Sequence, residues 1–187
     1  MQAVITDALL TLFAITLPGL EATLADEARE LGFDLSGVEP GGVSISGDWS
    51  EVWRANLELR GATRILVRIG SFMAFHLAQL DKRARKFPWG DVLRADVPVR
   101  VDVATSRKSK IYHAGAATER IEAALREEAG MQVAADAPII LKVRIDDNRV
   151  TISVDTSGEP LHKRGHKPAV GKAPMRETLA AMFLRQC

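Results

Sequence analysis

Cysteine is almost missing from this 187-residue chain: the one that occurs, Cys187, is the last residue. With no second thiol, an intramolecular disulfide framework is impossible, and a reducing cytoplasm is the expected setting. Aromatic side chains make up only 5%, too few and too scattered for a base-stacking platform, although Tyr112 can stack on one nucleotide. Long hydrophobic runs are absent. The longest, Ala8 to Leu20, holds Thr11, Thr16 and Pro18, falls short of the roughly 20 residues of a membrane span, and has no basic segment before it to make a signal peptide. No membrane partner is expected. A phosphate-cradling glycine loop is also lacking, because Gly41-Gly42 precedes a strand whereas such loops follow one and open a helix. His162 and His166 have the four-residue spacing of zinc ligands, but Gly165 and Pro168 oppose a helix there and nothing completes a ligand set. Cys187 has no context for a nucleophile, and no group of residues assembles an active site.

What is present is an ordinary globular composition, 47% hydrophobic and 26% charged, which excludes disorder and collagen. The formal net charge of +1 hides an asymmetry. Residues 1–60 carry three basic and ten acidic side chains, a balance of −7, while the rest carry 22 basic and 14 acidic, a balance of +8. A bound polyanion would therefore meet the second half.

The first half alternates strands and helices. Leu12 to Thr16 reads as a strand, and Leu20, Leu24, Ala28 and Leu31 then recur at helical spacing, with Pro18 in the first turn and Gly32 as the stop. Val43 and Ile45 alternate in a second strand. Asp48 or Ser50 can cap the next helix, with Val52, Trp53 and Leu57 turned inward, and Ile65, Val67 and Ile69 alternate in a third strand. This β-α-β-α-β pattern predicts a small α+β sandwich of the ferredoxin-like kind. Lys82, Arg83, Arg85 and Lys86 end the helix after His76, and Pro88-Trp89-Gly90 breaks the pattern. Beyond it Val97, Val99, Val101 and Val103 alternate in a strand, and Ala117, Ile121, Ala124 and Leu125 stripe a helix. Two strands flank the turn Asp147-Asn148. The chain then runs irregular and basic to Pro174, and a last helix over Ala173 to Arg185 turns Leu179, Met182 and Phe183 to one face. That face has little within the chain to pack against, so the sequence is expected to be cut inside a larger protein. Trp49, Trp53 and Trp89 are expected as core or interface anchors.

Two basic segments can hold an anion. The loop Ser106-Arg107-Lys108-Ser109-Lys110-Ile111-Tyr112-His113 puts three cations, two hydroxyls, a phenol and an imidazole just before a helix N-terminus, where free N–H groups and the helix dipole favour phosphate. A solvated loop whose hydroxyls cap the helix is the other reading of the same residues. From Glu159 to Arg176 the balance is +4, from Lys163, Arg164, Lys167, Lys172 and Arg176 against Glu159. Such a connector either holds a nucleic-acid backbone without reading its sequence or serves only as a soluble linker.

Several of these segments, taken in order, resemble a known family. Leu12-Phe13-Ala14, Pro18-Gly19-Leu20-Glu21, Gly41-Gly42-Val43, the Ser106 to His113 loop, the hairpin at Asp147-Asn148, Ser157-Gly158, Leu161-His162-Lys163-Arg164-Gly165 and Ala173-Pro174-Met175-Arg176-Glu177-Thr178-Leu179-Ala180-Ala181 are similar to bacterial THUMP-domain RNA methyltransferases. The likeness is to the N-terminal portion of the enzymes that make N2-methylguanine in large-subunit ribosomal RNA. It implies an α+β fold: a ferredoxin-like domain over 1–75 packed with a THUMP RNA-binding domain over 76–158, then a connector and first helix, 159–187, leading to a methyltransferase domain that is absent. It further implies structured RNA as partner, ribosomal RNA ahead of transfer RNA, with the methyltransferase domain in cis. S-adenosylmethionine belongs to that missing domain. No catalytic, cofactor-binding or metal-binding residue carries over to this chain, where the family's aromatic position is His166. The resemblance implies RNA contacts at Arg107, Lys108, Lys110, Tyr112 and His113, and further along at Lys163 and Arg164. A stand-alone RNA-binding adaptor, the RNA-binding part of a transfer-RNA methylation or thiolation enzyme, and a structural protein without RNA are the competing readings.

Overall fold

A computed structural model describes residues 9–165, 171–172 and 174–187. It holds seven strands and five α-helices in two compact units, one made of residues 1–67 and 159–187, the other of residues 68–158. The boundary between the two compact units lies at Val67, inside a strand, and residues 159–187 group with the first unit. That regrouping changes the electrostatics. Counted over the folded units, the −7 and +8 of the linear sequence become −2 for the first and +3 for the second.

The first unit runs β1 (Leu10–Ile15), α1 (Glu21–Glu30), β2 (Asp34–Glu39), β3 (Gly42–Gly47), α2 (Trp49–Glu58) and the start of β4 (Arg64–Met73), with strand order β2-β3-β1-β4. The order of elements is β-α-β-β-α-β, one strand more than the sequence pattern suggests. The strand that periodicity misses is β2: its segment, Asp-Leu-Ser-Gly-Val-Glu, is polar, and its pairing with β3 shifts register between Leu35 and Gly37. As the outermost strand it keeps Val38 half exposed, so no strong apolar alternation is required of it. Leu12, Ala14, Leu24, Ala28, Val43, Ile45, Val52 and Ala55 form its core, all at 1% exposure or less.

Two local expectations are corrected, at Pro18 and on the inward face of α2, and the choice of cap for α2 is settled. Pro18 lies in a turn ahead of α1 rather than in its first turn. Asp48 caps α2, its carboxylate accepting from the Ser50 and Glu51 amides at 2.8 and 3.1 Å. On that helix Val52 and Ala55 face inward, but Trp53 and Leu57 face solvent at 62% and 78% exposure. The inward row continues to Leu59 instead, because Val52, Ala55 and Leu59 keep the three- and four-residue spacing of one helix face.

The last helix, α5 (Glu177–Leu184), also departs from expectation, because it has a seat in the first unit. Met182 is fully buried, and a Cβ on Gly61 would come within 2.1 Å of its terminal methyl, so glycine there is what admits the thioether. Arg185 bridges to Glu30, and the Gln186 amide donates to Thr23 Oγ1 at 2.9 Å. Phe183 stays 44% exposed, so only part of the apolar face is covered.

The second unit carries the rest of β4, then α3 (Leu77–Arg85), β5 (Val99–Thr105), α4 (Ala114–Glu127), β6 (Ile139–Asp146) and β7 (Arg149–Asp155), with strand order β4-β7-β6-β5. β5 and β6 are parallel and joined through α4, and β6 and β7 form an antiparallel hairpin. Asp147 and Asn148 both have positive φ, 46° and 61°, the geometry of a tight two-residue turn whose twist matches the strands it joins. Ala117, Ile121, Ala124 and Leu125 are fully buried against Val99, Leu141, Val143 and Ile152, and Trp89 closes the core with its indole N–H donating to the Ala84 carbonyl at 2.9 Å. Among the described residues no helix is long and apolar enough to cross a membrane.

Candidate nucleic-acid interface

The loop from Ser106 to His113 joins β5 to α4 in the second unit. It is held by four hydrogen bonds to the β6–β7 hairpin. Ser106 N and Ser109 Oγ donate to the Ile145 carbonyl at 2.8 and 3.2 Å, Lys110 N donates to Asn148 Oδ1 at 2.9 Å, and Asn148 N donates to Ser109 Oγ at 3.3 Å. At the loop's far end the Thr105 hydroxyl donates to the Tyr112 carbonyl at 3.1 Å. Ser109 and Ile111 are buried, whereas Arg107, Lys108, Lys110, Tyr112 and His113 all point to solvent. Ser109 and Ile111 are held inward, and the residues on either side of them are presented outward.

Those outward cations are not neutralised. Among the described residues none of Arg107, Lys108 and Lys110 forms an ion pair. Asp146 has its pKa lowered by the Ser106 hydroxyl first, then by Arg144 at 3.1 Å, with a smaller contribution from the charge of Lys108. Tyr112 is 66% exposed and its ring lies 4.2 Å from that of His113, tilted by 44°. Lys110 Nζ stands 5.7 Å from the centre of the Phe75 ring, which is itself 42% exposed.

Helix α4 starts directly behind this loop. Its N-cap, His113, makes no side-chain capping bond, and the first turn has no acid. The reading in which loop hydroxyls cap the helix therefore fails: the two serines are spent on the hairpin. Among the described residues no side chain caps the helix, so the first amides, at Ala114, Gly115 and Ala116, lack an intrahelical acceptor, and the side chains there are small.

Lys163 and Arg164 belong to the other unit. Lys163 Nζ is paired with Glu159 at 2.7 Å, and the Arg164 guanidinium donates to the carbonyls of Asn56 and Leu59 at 2.6 and 3.0 Å. Burial pushes the Arg164 pKa down, with the charge of Glu27 acting in the opposite sense. Glu27, only 2% exposed, accepts from the Arg60 and Gly61 amides at 3.0 and 2.9 Å. Arg164 is thus the outer member of a polar network that holds the connector against α2. Burial lowers the His162 pKa below its ordinary value, and the charges of Arg176 and Lys163 add to the effect. His166 lies outside the described residues. Among those described, no group of His, Cys, Asp and Glu side chains could hold a metal ion.

Asn148 is the residue that sequence reasoning underrated. Read as a turn former, it is also a clamp on three segments: its amide and Oδ1 hold the loop, and its carbonyl accepts from Ala74 N at 2.8 Å. A positive-φ asparagine was legible in the Asp-Asn dipeptide, but its partners, 38 and 74 positions away in sequence, were not.

The comparisons with known proteins agree with the first unit's pattern. Residues 11–66 match the model of the RlmL ferredoxin-like domain. The chain is 35% identical over 185 residues to a ribosomal RNA large subunit methyltransferase K/L of Syntrophotalea carbinolica, covering 95% of this chain and 26% of that one. Residues 11–66 thus match that family's ferredoxin-like domain, and along nearly its whole length the chain is similar to RNA methyltransferases. Among solved structures it resembles a Listeria monocytogenes protein named as a predicted N6-adenine-specific DNA methylase, with 32% identity, a TM-score of 0.83, and coverage of 95% of this chain and 48% of that one. It also resembles SMU.472, named as a methyltransferase and solved in complex with SAH, with 26% identity, a TM-score of 0.82, and coverage of 97% and 50%. The chain therefore spans about half the length of these solved relatives and about a quarter of the K/L enzyme.

Proposed function

We propose that this chain is the RNA-recruiting portion of an S-adenosylmethionine-dependent RNA methyltransferase, with large-subunit ribosomal RNA as its target and guanine N2 as the modified atom. Residues 76–158 act as the THUMP RNA-binding domain, and methyl transfer belongs to the remainder of the protein. The observation that carries the reading is the anchored loop. Arg107, Lys108 and Lys110 are presented without carboxylate partners, beside an exposed Tyr112 and an uncapped helix N-terminus, and the hairpin holds them so that little ordering is left to occur on binding.

The chemistry follows from these groups. Each ammonium or guanidinium that meets a phosphate releases a condensed counterion, which gives affinity without sequence specificity. Tyr112 supplies a face on which one unpaired base stacks, and the amide N–H groups at Ala114 to Ala116 donate to a phosphate oxygen along the helix dipole. Lys163 and Arg164 contribute less, since one is paired and the other is committed to backbone carbonyls.

S-adenosylmethionine we assign to the remainder of the protein. Gly41 lies in the turn between β2 and β3 and Gly42 starts β3, so the pair opens a strand and not a helix and does not form a cofactor cradle. No step of methyl transfer is assigned to this chain. The test is binding of the 187-residue chain to large-subunit ribosomal RNA fragments across a salt series: affinity is expected to fall steeply as salt rises, with no methylation when S-adenosylmethionine is added. A salt-independent affinity, or no binding to RNA, removes the proposal.

A further inference from the structure

Helix α3 carries a second set of cations that the loop does not explain. Lys82, Arg83 and Lys86 are exposed, and among the described residues none of them forms an ion pair. Their neighbour Arg85 is the opposite case. It turns to the other side of the helix and is bound by Asp81 at 3.1 Å, Glu127 at 2.6 Å and Glu128 at 3.0 Å, which together raise its pKa. The acids of this region are therefore consumed on one face of α3, and the other face is left uniformly positive.

That positive face lines an open cleft of about 940 Å³ between α3 and β4. Its walls include Ser71, Gln79, Lys82, Arg83, Lys86 and Phe87, and no carboxylate is among the lining residues. The floor is built by a close approach: a Cβ on Gly70 would lie 2.7 Å from the Phe87 ring, so the strand can carry that ring only because residue 70 is glycine. Arg149, exposed at the start of β7, brings a guanidinium nitrogen to 3.4 Å from Ser71 Oγ at the same wall. The cleft also adjoins the loop. Gln79 accepts from the Phe75 amide at 2.9 Å, and Lys110 lies over the Phe75 ring. Asn148 links both places, since it binds Ala74 at the end of β4 and Lys110 in the loop.

We infer that the α3–β4 cleft is a second backbone-binding track for the same RNA, entered past Phe75 from the loop and lined by Lys82, Arg83 and Lys86. The inference rests on the RNA-binding reading above and extends it to a surface that reading does not use. Three unpaired cations within little more than one turn at the end of α3 suit adjacent phosphates of one backbone, and a cleft of this size and openness suits an extended polyanion over a single small anion. Contacts of this kind orient the RNA without reading its bases.

The test uses the whole 187-residue chain and a fluorescein-labelled RNA stem–loop with a single-stranded 3′ tail, titrated at several salt concentrations. The triple variant Lys82→Gln, Arg83→Gln, Lys86→Gln is expected to bind about tenfold more weakly at 0.15 M salt, with the slope of log K against log salt reduced by about two. In the unaltered protein, Lys82 and Lys86 are expected to be protected from acetylation by an N-hydroxysuccinimide ester when that RNA is added, a measurement that does not depend on how the variant folds. If the triple variant keeps the original affinity and slope, or both lysines label equally with and without RNA while Lys108 and Lys110 are protected, the cleft proposal is overturned and RNA binding by the loop stands. If the unaltered chain binds with no salt dependence, the functional reading falls and takes the cleft with it.

Discussion

Two basic segments looked alike in the sequence and are used in opposite ways. The loop from Ser106 to His113 spends its hydroxyls and backbone on being held still and leaves its cations unpaired. The stretch from Glu159 to Arg164 spends its cations on the fold: Lys163 goes to Glu159, and Arg164 goes to two carbonyls beside the buried Glu27. A positive charge is available to a partner only where the fold has not already claimed it. Local charge counts cannot make that distinction, because the claiming groups lie up to 108 positions away.

The largest test of this contrast lies at the connector's far end. Met182→Ala removes a fully buried side chain seated over Gly61 and is expected to lower the unfolding free energy by about 2–5 kcal/mol, read by denaturant titration, with RNA affinity at native conditions unchanged. Arg164→Ala leaves the Asn56 and Leu59 carbonyls without their donor and is expected to cost about 1–3 kcal/mol of stability. Were it to cost affinity and spare stability, the contrast would be broken.

The loop should behave in reverse. Lys108→Glu with Lys110→Glu is expected to weaken RNA binding by about 1–3 kcal/mol and to flatten its salt dependence, while the thermal midpoint stays within a degree or two of the original. Asn148→Gly keeps the left-handed turn but deletes the Oδ1 acceptor of the Lys110 amide. It is expected to cost about 0.5–1.5 kcal/mol in stability and to speed amide exchange at Lys110, with the loss of affinity smaller than for the double charge reversal.

The smallest effect is a pH dependence. The His162 pKa is lowered below the ordinary 6.5 chiefly by burial, so the fold favours the neutral imidazole, and in the unfolded chain the proton binds more readily. Its contribution to stability is therefore fully present above about pH 6.5 and is lost as pH falls through the folded value. A His162→Gln variant is expected to lose part of the decline in stability seen between neutral and mildly acidic pH. An unchanged pH profile would assign that decline to other groups.

Much of the architecture was already written in local pattern. The helical stripe of Ala117, Ile121, Ala124 and Leu125, the alternating strands after it and the turn at Asp147-Asn148 all stand as read, since each is set by the period of apolar residues or by φ preference. What escaped was whatever depends on a distant partner. The edge strand Asp34–Glu39 takes its existence from pairing with β3 and carries little apolar alternation of its own. Trp53 and Leu57 were assigned inward on the strength of hydrophobicity, yet the phase of α2 is set by Val52 and Ala55.

The amino-acid sequence by itself determined the alternation of strands and helices, the family likeness and the place of the cationic loop, because each is encoded in residues near one another along the chain. Only the tertiary structure decided that residues 159–187 return to the first unit, that Asn148 clamps the loop, and that the free charges of α3 share one face. The physical reason is common to all three. Burial and ion pairing are settled between residues far apart in sequence, and which polar groups are left over for a partner is known only after those bonds have been made.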